Sequence, residues 1–284
     1  MFFLLWLVCL AVARYGEFSL SVPTAILAFG MILAIAGMLY SVNLKDMSMF
    51  YSLIIYFFAL VFVAFIGIVR SIRRFGSIEA EAFGLRWDFP ASLGRIGIGF
   101  LSAGFILFLV SDSFKVYAYV PAVFLSVGGT LVPMIISFLF YMFVVALVEN
   151  QMCVTVSEAV RAPFSGLRSL AIVVSLFASI AGAAVLALMH FAAYGFGSAG
   201  PYVFAFFAFF IWMFMFYIFN GDATPGIVSH GWYDFCVISS WAGLTGIFLL
   251  ELTVALGLAF ILPWFIIGAY RGNLSLWRRG YSVF

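Results

Sequence analysis

Long apolar runs separated by short polar breaks dominate the chain. Residues 1–13, 22–42, 48–69, 97–110, 118–148, 169–196, 201–219 and 236–270 are apolar nearly throughout. Runs of about 20 residues cross the ~30 Å hydrocarbon core of a bilayer as helices. None shows the regular polar/apolar alternation of a barrel strand. The pattern predicts an all-α integral membrane protein, a polytopic helical bundle. With no internal repeat and no low-complexity linker, residues 1–284 read as one membrane domain, with 1–150 supplying the N-terminal helices. The opening run, 1–13, lacks a basic flank and reads as a short first helix or lateral anchor.

Polar breaks set the expected topology. The substantial polar loop, 70–96, carries Arg70, Arg73, Arg74, Arg86 and Arg95 and is expected on the cytoplasmic or matrix side. Glu149 to Arg168, and the tail with Arg271, Arg278 and Arg279, are expected on that same side. Single crossings by 169–196, 201–219 and 236–270 would leave the tail on the opposite side. Segment 201–219 is therefore read as re-entrant or lateral. Residues 151–196 and 236–270 are read as two long, steeply tilted helices. At 1.5 Å per residue, 118–148 and 236–270 would reach about 45–50 Å, more than the hydrocarbon core requires.

Composition narrows the class. The chain is 67% hydrophobic, 20% aromatic and 8% charged, against about a quarter charged for a soluble domain. Its net charge of +2 offers nothing to nucleic acid. Cys9, Cys153 and Cys236 have no metal or redox spacing, and the two histidines suggest no haem or His-rich centre. No metal and no cofactor is expected.

The ionisable residues in or beside the apolar runs are Glu149, Glu158, Arg161, Arg168, His190 and Glu251. A charge in lipid costs about 2.5–3.5 kcal/mol on insertion scales, so such groups face a protein interior or a water-filled cavity. Arginine cannot escape by deprotonation. On a continuous helix Arg161, Ser165 and Arg168 share one face with Ile172, Ser175, Ser179 and Gly182. Small residues on that stripe allow a partner helix to approach closely. Interfacial anchoring explains Arg161 equally well, and Glu158 can pair with it three residues away. Glu251 is either a protonated or hydrogen-bonded buried glutamate or part of a proton-handling site.

Two stretches resemble subunit a of F-type ATP synthases. "SEAVRAPFSGLRSLA", residues 157–171, places Ser157, Arg161, Ala162, Gly166, Leu167, Arg168 and Ala171 in the family register, and "ELTVALGLAFI" places Glu251, Val254, Ala255, Ala259, Phe260 and Ile261. The chain departs from that pattern at Ile172, at Leu176–Phe177, where the family has Gly-His, and at Leu258. The resemblance implies a proton-translocating stator subunit, multi-pass in the mitochondrial inner membrane or a bacterial plasma membrane, without an ATP site of its own. Its long C-terminal helices would form a hairpin against a c-ring, and the separation of Arg168 from Glu251, longer than the family's, would make 191–235 an insertion. Its partners would be that ring, a peripheral stalk, other membrane subunits, protons and lipids. Arg168 would face the ring carboxylate. Glu251, Glu158, Glu149, His190, His230 and Asp234 would line the proton pathway, with Asp222 a further candidate there. Arg161, Ser165, Ser175, Ser179 and Gly182 would support Arg168.

Rival classes remain open. A secondary transporter would use Arg168 to bind an anion and should show repeats. A structural subunit of a respiratory complex needs no site. An intramembrane protease needs a Glu/His metal cluster or a Ser/His or paired-Asp site, and in sequence neither histidine stands in a convincing one.

Overall fold

The computed structural model describes residues 22–43, 47–75, 89–109, 135, 138–164, 168–190, 199–241 and 244–276. Among them every regular element is helical. In chain order α1 is Val22–Asn43, α2 Met47–Phe75 and α3 Ala91–Leu109. A π-helical turn, Tyr141–Val145, runs into α4, Ala146–Arg161. Then come α5 Ala171–Met189, α6 Gly200–Ile218, α7 Thr224–Trp241 and α8 Gly246–Tyr270. Six stretches among the described residues are long and apolar enough to cross a bilayer: within α2, α3, the π turn with α4, α5, α6 and α8. The chain is a multi-pass membrane protein.

Residues 151–196 do not form the single long helix expected of them. Regular α-helix stops at Arg161 and resumes at Ala171, with 3-10 turns at Ala162–Phe164 and Arg168–Leu170. Pro163 explains the stop, because its ring removes a backbone donor and collides with the preceding turn. The chain folds back here, and α5 packs along α4. A Cβ on Gly182 would collide with Ser157 Oγ and lie 2.9 Å from the Cys153 carbonyl. The predicted continuous face joining Arg161, Ser165 and Arg168 to Ser175 is therefore broken. Ser175, Ser179 and Gly182 are buried within α5. Ser165 and the Arg168 side chain lie outside the described residues, as do 1–13, most of 118–148, Arg86, Arg278 and Arg279.

Segment 201–219, expected to be re-entrant or lateral, forms α6, a 19-residue apolar helix long enough to cross a bilayer. Its last turn returns to the end of α4, where Arg161 lies over the Tyr217 ring at 5.8 Å. Residues 236–270 are likewise two elements, the end of α7 and the whole of α8, parted before Thr245. A helix not anticipated, α7, follows α6 and packs back along it, with Tyr233 against Phe204 and His230 against Phe209. Residues α5 through α8 then alternate in direction, and the tail returns to the side of the α4–α5 turn. Because α7 carries Ser229, His230, Asp234, Ser239 and Ser240, it is too polar to stand among the six apolar stretches. It is buried along nearly its whole length by other helices, which is where intramembrane polar groups belong.

Glycines let α3 slot between α7 and α8. A Cβ on Gly99 would come within 2.8 Å of the Pro225 carbonyl, and one on Gly97 within 2.8 Å of the Gly257 carbonyl. Trp232 Nε1 donates to Thr253 Oγ1 at 2.6 Å, tying α7 to α8. The opposite face of α8 stays exposed, and only 17% of that span is buried.

Arg95 is not in a polar loop as expected. It sits in the second turn of α3, fully buried, with Nε 3.1 Å from Asp222 Oδ2. Asp222 lies in the α6–α7 turn, where Asn220 and Gly221 take φ of 53° and 82° to end α6. Its Oδ1 accepts from the Thr224 N–H at 2.8 Å and so caps α7.

A candidate acid-base cluster inside the bundle

Four of the sequence-predicted residues, from three helices, meet in the interior. Glu149 stands in the first turn of α4, His190 at the end of α5, and His230 and Asp234 one turn apart on α7. The π turn before α4 widens the backbone just ahead of Glu149. It is accommodated by glycines on both sides. A Cβ on Gly30 of α1 would collide with the Phe143 carbonyl, and one on Gly231 of α7 would lie 2.7 Å from Met142 Cα. Single π turns of this kind recur at functional sites.

Glu149 is the hub. Its Oε1 accepts from Tyr56 Oη, on α2, at 2.7 Å. Its Oε2 faces His190 Nε2 at 3.4 Å and His230 Nε2 at 3.6 Å. His230 Nε2 also lies 3.4 Å from Asp234 Oδ2. The far nitrogens are anchored as well. His190 Nδ1 is 2.8 Å from the Leu186 carbonyl, and His230 Nδ1 is 2.9 Å from Asn150 Nδ2. Trp212 stacks on His230 with centroids 4.0 Å apart and planes 13° from parallel. The indole is fixed by its own donation to Ser229 Oγ at 2.9 Å.

Depth follows from Phe209. Its ring meets both imidazoles, at 5.4 Å for His190 and 5.3 Å for His230. Phe209 is near the middle of α6, about 14 Å from its start at 1.5 Å per residue. The cluster therefore lies level with the middle of α6 and with the C-terminal end of α5. It is not sealed: the side chains of His190 and Asp234 keep 20% and 18% of their surface exposed, against 5% for His230.

The other predicted residues lie elsewhere. Glu158 pairs with Arg161 at 3.6 Å near the α4–α5 turn. Glu251 is exposed on α8, whose main neighbour is α3. Arg168 has its backbone in a 3-10 turn between two packed helices. Tyr56, Asn150 and Trp212 escaped the sequence reading. Only the His230/Asp234 spacing, which puts both on one helical face, advertised the site locally. Among the described residues, no group of three or more His, Cys, Asp or Glu side chains is disposed to hold a metal ion. Comparison with protein-family models, curated proteins and solved structures found no match.

Proposed function

We propose that the protein is a membrane-embedded hydrolase acting on amide or ester carbonyls, with Glu149 as its general base. The observation that carries this reading is one carboxylate oxygen, Glu149 Oε2, facing two imidazole nitrogens inside the bundle. Folding brings a carboxylate and two imidazoles together from α4, α5 and α7, the groups that acid-base hydrolysis without a metal requires.

The chemistry balances with these groups alone. Glu149 and His190 together accept a proton from water. The hydroxide forms a C–O bond to the substrate carbonyl, and the resulting oxyanion accepts a hydrogen bond from His230 Nε2. On collapse the C–N or C–O bond breaks, and the proton held by Glu149 and His190 passes to the leaving nitrogen or oxygen. A positioned base contributes about 10²–10⁴-fold, and one oxyanion donor about 10²–10³-fold. Separations of 3.4–3.6 Å are loose for a resting site but tighten in the reacting complex.

A second reading, the proton-translocating stator subunit, rests on the "SEAVRAPFSGLRSLA" register and on the convergence of Glu149, His190, His230 and Asp234. A conduit must pass protons through its histidines. Here both Nδ1 atoms end on groups that do not relay them, the Leu186 carbonyl and the Asn150 amide. This favours local proton transfer over through-conduction.

The test compares membranes from cells expressing the wild-type chain and Glu149→Gln, with peptide termini and lipids profiled by mass spectrometry. Hydrolysis predicts product species that depend on Glu149. Identical profiles, together with Glu149-dependent proton flux in reconstituted vesicles, favour the conduit instead.

A further inference from the structure

We infer that Asn150 is a positioning residue that holds His230 as a fixed Nε2–H donor, while His190 is held in the opposite tautomer as the proton-accepting imidazole. This division of labour rests on the hydrolase reading for its purpose, but not for its geometry.

The argument begins with a carbonyl that can only accept. Asn150 Nδ2 is 2.8 Å from the Ala146 carbonyl, so the amide must present its NH2 group there. A flipped amide would set two oxygens against each other. The same NH2 lies 2.9 Å from His230 Nδ1. It has two hydrogens, one for each partner. His230 Nδ1 is thereby an acceptor, and a neutral His230 carries its proton on Nε2. Asn150 Oδ1 turns toward α7, where Gly226 leaves it room; a Cβ there would stand 3.2 Å from it.

His190 is fixed by the same logic with the opposite result. Its Nδ1 is 2.8 Å from the Leu186 carbonyl, another pure acceptor. Nδ1 therefore carries the proton, and the neutral ring presents a lone pair at Nε2. That lone pair faces Glu149 Oε2 at 3.4 Å. Glu149 Oε2 and His190 Nε2 therefore form one acceptor pair that can take up a single proton between them. His230 instead offers an N–H toward Glu149 at 3.6 Å and Asp234 at 3.4 Å. Two identical side chains meeting one carboxylate are made chemically unequal by their second nitrogens. The ring of His230 is further pinned by Trp212 on its face and Phe209 at its edge. Its capacity to reorient is removed along with its capacity to exchange tautomers.

The experiment reads the tautomers directly. The chain has two histidines, so ring-15N labelling of the full-length protein in nanodiscs yields four nitrogen signals, assigned by loss in His230→Gln. One-bond 15N–1H couplings separate protonated from bare nitrogens. The expected pattern is a proton on His230 Nε2 with a bare Nδ1, and a proton on His190 Nδ1. In Asn150→Ala, His230 should become a mixture of both tautomers while His190 keeps its own. A wild-type His230 protonated on Nδ1 and bare on Nε2 overturns the inference. So does an Asn150→Ala spectrum in which His230 is unchanged. Should Asn150→Ala fail to fold, the wild-type spectrum alone decides. Absence of Glu149-dependent products with the predicted tautomers intact would sink the hydrolase reading and leave this one standing.

Discussion

Arg95 and Asp222, both excluded from solvent, face each other at 3.1 Å across α3 and the turn that joins α6 to α7. Asp222 also caps α7, the helix that carries His230 and Asp234. The pair thus links the frame of the bundle to the element that holds half of the acid-base cluster. Removing one partner strands a charge in an apolar interior, which costs about 3–5 kcal/mol. Arg95→Leu or Asp222→Leu alone should lower the thermal midpoint in detergent sharply. The double substitution should recover much of the loss, because two matched apolar groups replace a pair that was expensive to desolvate. If each single variant melts like wild type, the pair contributes nothing to the frame.

The membrane class was legible because spanning helices must satisfy their backbone internally and present apolar side chains to lipid. Periodicity carried no such signal for α7. Its neighbours, rather than lipid, surround it, so it is free to carry Ser229, His230 and Asp234. Arg95 was assigned to a loop for a related reason, since its partner lies 127 positions along the chain and no local pattern joins them. The cluster was half legible. Glu149, His190, His230 and Asp234 attract attention as rare charges among apolar residues. Tyr56, Asn150 and Trp212 are ordinary in composition and acquire meaning from contacts 93, 80 and 18 residues away.

The return of α6 to the α4–α5 turn can be tested by proximity. Arg161 lies over the Tyr217 ring at 5.8 Å. Arg161→Cys combined with Tyr217→Cys, in a chain whose native cysteines are replaced by alanine or serine, should be joined by a short bifunctional thiol reagent. A re-entrant 201–219 would leave Tyr217 on the opposite face of the membrane. No linkage under conditions that label each cysteine singly would restore that topology.

Gly182 tests the packing of α4 on α5. A Cβ there would collide with Ser157 Oγ and approach the Cys153 carbonyl at 2.9 Å. Gly182→Ala should destabilise by about 1–3 kcal/mol, the usual cost of overpacking a filled interior. Adding Ser157→Ala removes the nearer obstacle but leaves the carbonyl, so part of the loss should return. The readout is a double-mutant cycle on thermal midpoints, with non-additivity as the expected result. Strict additivity would mean that the two residues do not touch.

Tyr56 tests how the cluster is held together from the side of α2. Its hydroxyl donates to Glu149 Oε1 at 2.7 Å, leaving Oε2 to the imidazoles. Only 22% of the apolar stretch of α2 is buried, and most of its packing is against α1. The hydroxyl therefore matters to α2 more than its size suggests. Tyr56→Phe keeps the ring and its edge contact with Phe140 at 6.4 Å while deleting one hydrogen bond to a charged group. Such bonds are worth about 1.5–3 kcal/mol. Faster amide exchange confined to α1 and α2 is expected, with α4 through α8 protected as before. A tether role also predicts that Glu149-dependent products persist, since the reacting oxygen keeps both histidines. If Tyr56→Phe abolishes those products while exchange in α2 is unchanged, the hydroxyl belongs to the chemistry and not to the tether.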